Sequence, residues 1–133
     1  IKNIPHLDKF INKLKKKNIR ISLFLEPNIE DVILAKKLEA DIIEFHTGKY
    51  CNLDIINRES EYDRIVNAIT YADKLGIESH AGHGLDYQTT AEIAKISELA
   101  ELNIGHFLIG ESILCGLENA IHKMKEVINK ART

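Results

Sequence analysis

The chain has 133 residues, enough for one domain with a hydrophobic core, and we predict a single domain over residues 1–133. A net charge of −2 argues against nucleic-acid binding, and no apolar run has the length of a transmembrane helix, so we predict neither a nucleic-acid nor a membrane partner. The two cysteines, Cys51 and Cys115, are isolated, which favours a reducing compartment over a disulfide framework.

The first half of the chain alternates between helical and strand patterns. Apolar residues at helical spacing predict an amphipathic helix from Leu7 to Lys17, and a β-branched run predicts a mostly buried strand from Ile19 to Leu25. Asn28 is placed to cap a second helix, and a second strand follows from Ile42 to His46. The segment from Thr47 to about Asn57 is long for a strand-to-helix connection, which favours a functional or lid role.

The second half of the chain continues this alternation. Its predicted elements are a helix from Tyr62 that ends at Gly76, a strand end at Ser79–Leu85, a helix from Asp86 or Thr89 to about Ala94, a short helical piece or turn at Ser97–Leu99, a strand from Leu102 to Ile104, and a long helix from Leu117 to Ala131. Alternating strands and helices predict an α/β fold with a parallel sheet. Four such units fit either a small doubly wound sheet or half of a (β/α)8 barrel.

Three of the predicted strands end in a titratable residue beside a glycine. Strand alternation places Glu44 and His46 on one face, where the carboxylate needs a cation, a metal or a substrate, or else forms a structural ion pair. His83 is suited to general acid or base catalysis because histidine titrates near neutral pH; a loop histidine bonded to a carbonyl is the alternative. Gly84 next to it permits close approach of the backbone to a ligand.

The stretch after the fourth strand has two interpretations. The strand could run on to Ile109, or it could end at Gly105, with a short helix that starts near His106 and breaks at Gly116. In the second case, the helix N-terminus presents free N–H groups that suit a phosphate. Together with Gly84, Gly105 and His106 would then form a phosphate site.

A metal site is an alternative use of the same side chains. The candidate ligands are His46, His80, His83, His106 and Glu44, which would suit zinc or iron. None of these histidines forms a ligand pair with a known metal-binding spacing. The two remaining histidines, His6 and His122, fall on helical flanks, and we predict that both lie on the surface.

Three motifs carry a resemblance to a known family. They are Ile42-Ile43-Glu44-Phe45-His46-Thr47-Gly48, Ala81-Gly82-His83-Gly84-Leu85 and Glu101-Leu102-Asn103-Ile104-Gly105-His106. In order and spacing they resemble the pyridoxine 5'-phosphate synthase family, whose members are (β/α)8 TIM barrels. The resemblance implies a transferase of vitamin B6 biosynthesis that condenses 1-deoxy-D-xylulose 5-phosphate with 3-amino-2-oxopropyl phosphate, giving pyridoxine 5'-phosphate, phosphate and water.

The resemblance also implies roles for particular residues. Glu44 would stabilise the transition state, His83 would donate a proton, and Gly84, Gly105 and His106 would hold the phosphate of the aminoketone. Members of the family use no metal and no organic cofactor. The resemblance further implies a cytoplasmic homo-oligomer, commonly an octamer, whose partners are small phosphorylated substrates.

The resemblance covers only the C-terminal half of the barrel, strands five to eight. The N-terminal half of the family carries further catalytic and phosphate-binding groups, so we expect this sequence to be part of a longer chain. Two other hypotheses remain open. One is a metal-dependent lyase or isomerase that acts on a sugar phosphate on a similar barrel, and the other is a non-catalytic half-barrel that binds phosphate.

Overall fold

A computed structural model describes residues 4–133, with side chains described from Leu7 onward. In chain order the elements are α1 Ile4–Lys15, β1 Ser22–Leu25, α2 Ile29–Lys37, β2 Ile42–His46, α3 Gly48–Asn52, α4 Arg58–Lys74, β3 Glu78–Gly82, α5 Tyr87–Ile93, β4 Leu99–Asn103, α6 His106–Cys115 and α7 Leu117–Ala131. The predicted alternation of helix and strand is confirmed. No helix of the described chain is both long enough and apolar enough to cross a membrane.

The four strands form one parallel sheet in the order β1-β2-β3-β4. In the register between β2 and β3, Glu44 pairs with His80 and His46 pairs with Gly82. Because every pair is parallel, the C-terminal ends of all four strands lie at one edge of the sheet, which we call the carboxyl edge. This topology brings the sequence-predicted strand ends to the same side of the molecule.

The core lies between the sheet and the helices that cover one of its faces. Ile43 and Phe45 of β2 are fully buried and belong to one cluster with Ile65 and Ile69 of α4. Glu44, between the two apolar residues, is only partly buried. The predicted alternation of this strand is therefore confirmed: Ile43 and Phe45 face the helical layer, and Glu44 and His46 face the opposite side.

The first strand differs from its prediction. It begins at Ser22 rather than Ile19, and Phe24 is 54% exposed although we expected a mostly buried strand. The reason is position: β1 is at the end of the sheet, and Phe24 is in register with Glu44, so both belong to the face opposite the helices. Burial of a strand depends on what covers it, which its own residues do not specify.

Helix caps follow the local sequence closely. The Asn28 side chain accepts a hydrogen bond of 2.8 Å from the backbone N–H of Asp31, as predicted. Asp86 caps α5 and forms a capping box with Thr89, which decides between the two predicted starts of that helix. The first helix ends at Lys15 instead of Lys17.

The other differences concern connections. Helix α3, Gly48–Asn52, occupies part of the predicted loop from Thr47 to Asn57. Strand β4 begins at Leu99 and ends at Asn103, so the predicted start at Leu102 was late, and only Ser97 and Glu98 form the turn. Helix α6 begins at His106, so the interpretation in which the strand continued to Ile109 is wrong.

Candidate active site

A cleft of about 820 Å³ opens at the carboxyl edge, a size typical of small-molecule sites. It is lined by Phe24, Glu44, His83, Gly84, Leu85, Asp86, Asn103, Ile104, Gly105, His106 and Phe107. Five of the residues that the sequence predicted for the site line this one cleft, namely Glu44, His83, Gly84, Gly105 and His106, whereas the candidate histidines His46 and His80 do not line it. The sequence analysis did not single out Phe24 or Asn103, which occupy the ends of β1 and β4 beside the predicted residues.

The backbone at His83 has an unusual conformation that Thr47 supports. His83 has φ = 81°, in the left-handed region that few side chains adopt. The hydroxyl of the fully buried Thr47 lies 2.8 Å from the carbonyl oxygen of Gly82 and 2.7 Å from that of His83, and can donate to either. The backbone N–H of Thr47 also donates to the Gly82 oxygen, at 2.9 Å. These bonds fix the His83 turn to the end of β2.

A second histidine lies against His83. The ring centroids of His46 and His83 are 4.6 Å apart, and Phe24 contacts His46 edge-on at 5.1 Å. Nδ1 of His46 lies 2.7 Å from Oε1 of Glu26, which follows β1. Burial raises the pKa of Glu26, but the hydrogen bonds and charges of His46 and Arg64 outweigh burial and hold that pKa below its ordinary value.

A network of charges continues from Glu26 along the carboxyl edge. Nη2 of Arg64 lies 3.1 Å from Glu26 Oε2 and forms a close ion pair with Glu61, one turn earlier on α4. Nζ of Lys49 lies 2.7 Å from Glu61 Oε2, whose side chain is only 3% exposed. Burial raises the pKa of Glu61, but the hydrogen bonds from Arg64 and Lys49 outweigh burial and hold that pKa below its ordinary value. The network joins α3 and α4 to the end of β1.

Two glycines permit the close packing of the site. A Cβ atom on Gly82 would collide with Oε1 of Glu44 and would lie 3.0 Å from the Asn103 carbonyl oxygen. A Cβ atom on Gly48 would lie 2.8 Å from both Nε2 of His46 and Cδ2 of His83. The glycines of these motifs therefore leave the space that the side chains of Glu44, His46 and His83 occupy.

The opposite side of the cleft is formed by the start of α6. Gly105 is the N-cap residue and makes no side-chain capping bond, and the helix continues for 10 residues from His106. The first N–H groups of a helix have no partner within it and carry the positive end of the dipole. Phe107 packs edge-on against Tyr87 of α5 at 4.7 Å, which holds this end of α6 in place. The arrangement can bind an anionic group such as a phosphate ester.

Of the histidines in the alternative metal set, His46 and His83 are in contact, whereas His80 is bonded elsewhere. His80 is 8% exposed, and its Nε2 lies 2.8 Å from Glu78 while its Nδ1 lies 3.6 Å from Glu101. Within the part of the chain that the structure describes, no group of three His, Cys, Asp or Glu residues could hold a metal ion. His122 is on the surface as predicted, with its side chain 75% exposed, and the His6 side chain lies outside the described residues.

The fold and the cleft define the class: an α/β protein with its candidate reactive groups at the carboxyl ends of parallel strands. Comparison with known sequences identifies the family. Residues 1–130 match the family described as "Pyridoxal phosphate biosynthesis protein PdxJ". The chain belongs to the PdxJ family, and the resemblance that the three motifs predicted is confirmed.

Several curated relatives named pyridoxine 5'-phosphate synthase match nearly the whole chain. The protein from Pelagibacter ubique (strain HTCC1062) is 48% identical over 132 residues, which cover 98% of this chain and 55% of the relative. The protein from Ehrlichia chaffeensis is 48% identical over 126 residues, 95% and 52% of the two chains, and that from Sulfurihydrogenibium sp. is 46% identical over 129 residues, 97% and 53%. The chain spans about half the length of the curated relatives it matches.

Proposed function

We propose that the chain contributes the C-terminal half of a pyridoxine 5'-phosphate synthase. This enzyme would condense 1-deoxy-D-xylulose 5-phosphate with 3-amino-2-oxopropyl phosphate, giving pyridoxine 5'-phosphate, phosphate and water. One observation carries the proposal: a member of the PdxJ family gathers Glu44, His83 and the start of α6 around one cleft. Names of the relatives point to the same activity.

The proposed architecture is half of a (β/α)8 barrel. In this proposal residues 1–133 form one unit, and β1 to β4 are strands five to eight. The exposed Phe24, on the face that carries Glu44, and the open ends of the sheet at β1 and β4 support it. The other half of the barrel would pair with both end strands and cover the face opposite the helices, which would enclose the cleft.

The proposed chemistry depends on proton transfer. Imine formation, loss of phosphate, dehydration and ring closure each need a proton to be given or taken, and an imidazole does this near neutral pH. His83, exposed in the cleft, would be the proton donor, and the Glu44 carboxylate would stabilise positive charge in the transition state. We propose that these condensation and elimination steps need neither a metal nor an organic cofactor.

The phosphate of the aminoketone would bind where the cleft offers backbone N–H groups. Gly84, Gly105 and His106 are its proposed contacts, because the first two bring backbone close to the ligand and His106 begins α6. We further propose that the enzyme is a cytoplasmic homo-oligomer, with an octamer as the expected assembly. Light scattering on the full-length protein measures the number of subunits.

Replacement of His83 tests the proposed activity. Asparagine tolerates the left-handed backbone at this position, so His83→Asn removes the imidazole with little strain. In the full-length protein we expect kcat for pyridoxine 5'-phosphate formation to fall roughly 10²- to 10⁴-fold. His122→Asn, on the exposed surface of α7, is the matched control and should keep full turnover. Unchanged turnover in His83→Asn would refute the proton-donor role, and an inactive wild type would refute the function.

A further inference from the structure

The Glu26 carboxylate joins two neighbours at the carboxyl edge. Its Oε1 lies 2.7 Å from Nδ1 of His46, and its Oε2 lies 3.1 Å from Nη2 of Arg64. Arg64 is itself held by Glu61 and by the carbonyl oxygen of Pro27, 3.1 Å from its Nη1. A carboxylate fixed at both oxygens sets the direction of any group bonded to it, so Glu26 determines the orientation of the His46 ring.

The oriented ring of His46 has one catalytic candidate beside it. Its centroid is 4.6 Å from that of His83, and Nε2 of His46 and Cδ2 of His83 both lie 2.8 Å from the Cβ position that Gly48 leaves empty. Phe24 contacts the His46 ring at 5.1 Å. The His46 ring is therefore wedged between Phe24 and His83.

The position of the His83 imidazole depends on its contact with the His46 ring. Thr47 and Cys51 hold its backbone, since Thr47 Oγ1 lies 2.7 Å and Cys51 Sγ 3.7 Å from the His83 carbonyl oxygen. The described residues show no hydrogen bond from the His83 imidazole, and the side chain is exposed in the cleft. The packing contact with His46 is what restricts its ring. A general acid must be held within a fraction of an ångström of its target, because misplacement by about 1 Å can cost about 10²-fold in rate.

We propose that Glu26 and His46 are positioning residues: Glu26 orients the His46 ring, and that ring holds the imidazole of His83 in place for proton transfer. The kinetic consequence rests on the proposed function, whereas the placement of the ring does not. Neither residue needs to touch substrate for this role. Glu26 acts through His46, and His46 acts through His83.

Variants of the full-length protein separate this role from general stability. Glu26→Ala removes the hydrogen bond, whereas Glu26→Gln keeps an acceptor for His46. The chain offers a matched control in Glu78, which also joins a histidine and an arginine: it lies 2.8 Å from His80 and 2.8 Å from Arg20, at the start of β3 and away from His83. Glu78→Ala therefore removes the same kind of carboxylate from a set of contacts that includes neither His46 nor His83.

The kinetic result should distinguish these variants. We expect Glu26→Ala to lower kcat about 10- to 100-fold with KM within about twofold, Glu26→Gln to stay within about threefold of wild type, and Glu78→Ala to keep its kcat. In a His46→Ala background, Glu26→Ala should cause no further loss, because the ring that Glu26 orients is gone. Equal losses in Glu26→Ala and Glu26→Gln, full kcat in Glu26→Ala, or additive losses in the double variant would each overturn the proposal.

Crystal structures of the same full-length variants provide a test that does not need activity. In Glu26→Ala we expect the His46 ring to turn and the His83 imidazole to be displaced or to occupy two positions, while Glu26→Gln keeps the wild-type arrangement. An unmoved His83 ring in Glu26→Ala would overturn the proposal whether or not the enzyme makes pyridoxine 5'-phosphate. If wild type were inactive while the ring moved as expected, the proposed function would fail and the positioning role would stand.

Discussion

At the scale of single residues, the candidate site depends on side chains that do not line the cleft but hold its residues in place. Thr47 contributes no surface to the cleft, yet its hydroxyl and N–H bind the two carbonyl groups around His83. The left-handed backbone of His83 costs roughly 1–3 kcal/mol in a residue other than glycine. Hydrogen bonds to Gly82 and His83 offset part of that cost, so Thr47 should matter for stability and for the site together.

Replacement of Thr47 by valine tests this support. Valine keeps the shape of threonine but cannot donate, which leaves the buried turn with one donor fewer, so we expect the free energy of unfolding to fall by about 1–3 kcal/mol. Urea unfolding of the full-length protein, at one fixed protein concentration, measures this free energy. Thr90→Val is the control: Thr90 is fully buried and its Oγ1 has no hydrogen-bond partner among the described residues, so valine should be neutral or stabilising. A similar loss in both variants would contradict the explanation.

At the scale of elements, the start and the end of α6 determine what the cleft can bind. Strand β4 ends at Asn103, and α6 begins at His106 with Gly105 as its N-cap residue, which presents the helix N-terminus to the cleft. At the other end, Gly116 adopts φ = 83° and ψ = 147°, a conformation accessible essentially only to glycine, and joins α6 to α7. Helix α7 then packs on α5 and on α6, and through them it holds the α6 side of the cleft in place.

Replacement of Gly116 by alanine should therefore loosen the α6–α7 joint. No atom lies within 4 Å of the added Cβ, so the cost is conformational alone, and we expect a loss of about 1–3 kcal/mol in unfolding free energy. Gly110→Ala is the matched control, because its added Cβ also meets nothing within 4 Å but lies inside α6, where alanine is favoured by about 1 kcal/mol. In the full-length protein, the free energy of unfolding should fall in Gly116→Ala and rise in Gly110→Ala. An unchanged free energy of unfolding in Gly116→Ala would contradict this explanation, because it would show that the connection between α6 and α7 tolerates another conformation.

At the scale of the whole molecule, a single parallel sheet collects chemistry from distant parts of the sequence. Glu26, His46, Arg64 and His83 are separated by up to 57 positions, yet they form one continuous set of contacts at the carboxyl edge. The same edge holds the ion pairs of Glu61, which is almost fully buried. Stability at this edge should therefore depend on the protonation of the buried Glu61 carboxylate.

Acid should weaken the carboxyl edge through Glu61. Because the folded-state pKa of Glu61 is lowered, its contribution is fully present above the unfolded value of about 4.3 and is lost as pH falls through the folded pKa below it. Glu61→Gln should lower the unfolding free energy at pH 7 by about 1–3 kcal/mol, and should lose less further stability on acidification than wild type. Urea unfolding at pH 7 and pH 3.5 measures both effects.

Glu92→Gln is the control for this prediction. It breaks the exposed pair with Lys95 and should change the free energy of unfolding by less than about 1 kcal/mol. Equal effects of Glu61→Gln and Glu92→Gln would contradict this account.

Sequence by itself determined the alternation of helices and strands and the last residues of β1 and β2, whereas α3 and the end of β4 became clear only in the structure. Helical spacing in α7, alternation in β2 and glycines beside His83 and His106 are local patterns, and local patterns are readable without coordinates. The family followed from the same strand-end motifs. Because parallel strands share a direction, the sequence also implied that these ends would meet at one edge.

Only the tertiary structure decided which side chains touch there. The contacts of His46 with Glu26 and of Thr47 with the His83 carbonyl join residues 20 and 36 positions apart. Such pairs depend on strand register and on how each crossover packs, which no local pattern records. The exposure of Phe24 was missed for the same reason: burial is a property of a residue's neighbours in space, and those neighbours are distant in the chain.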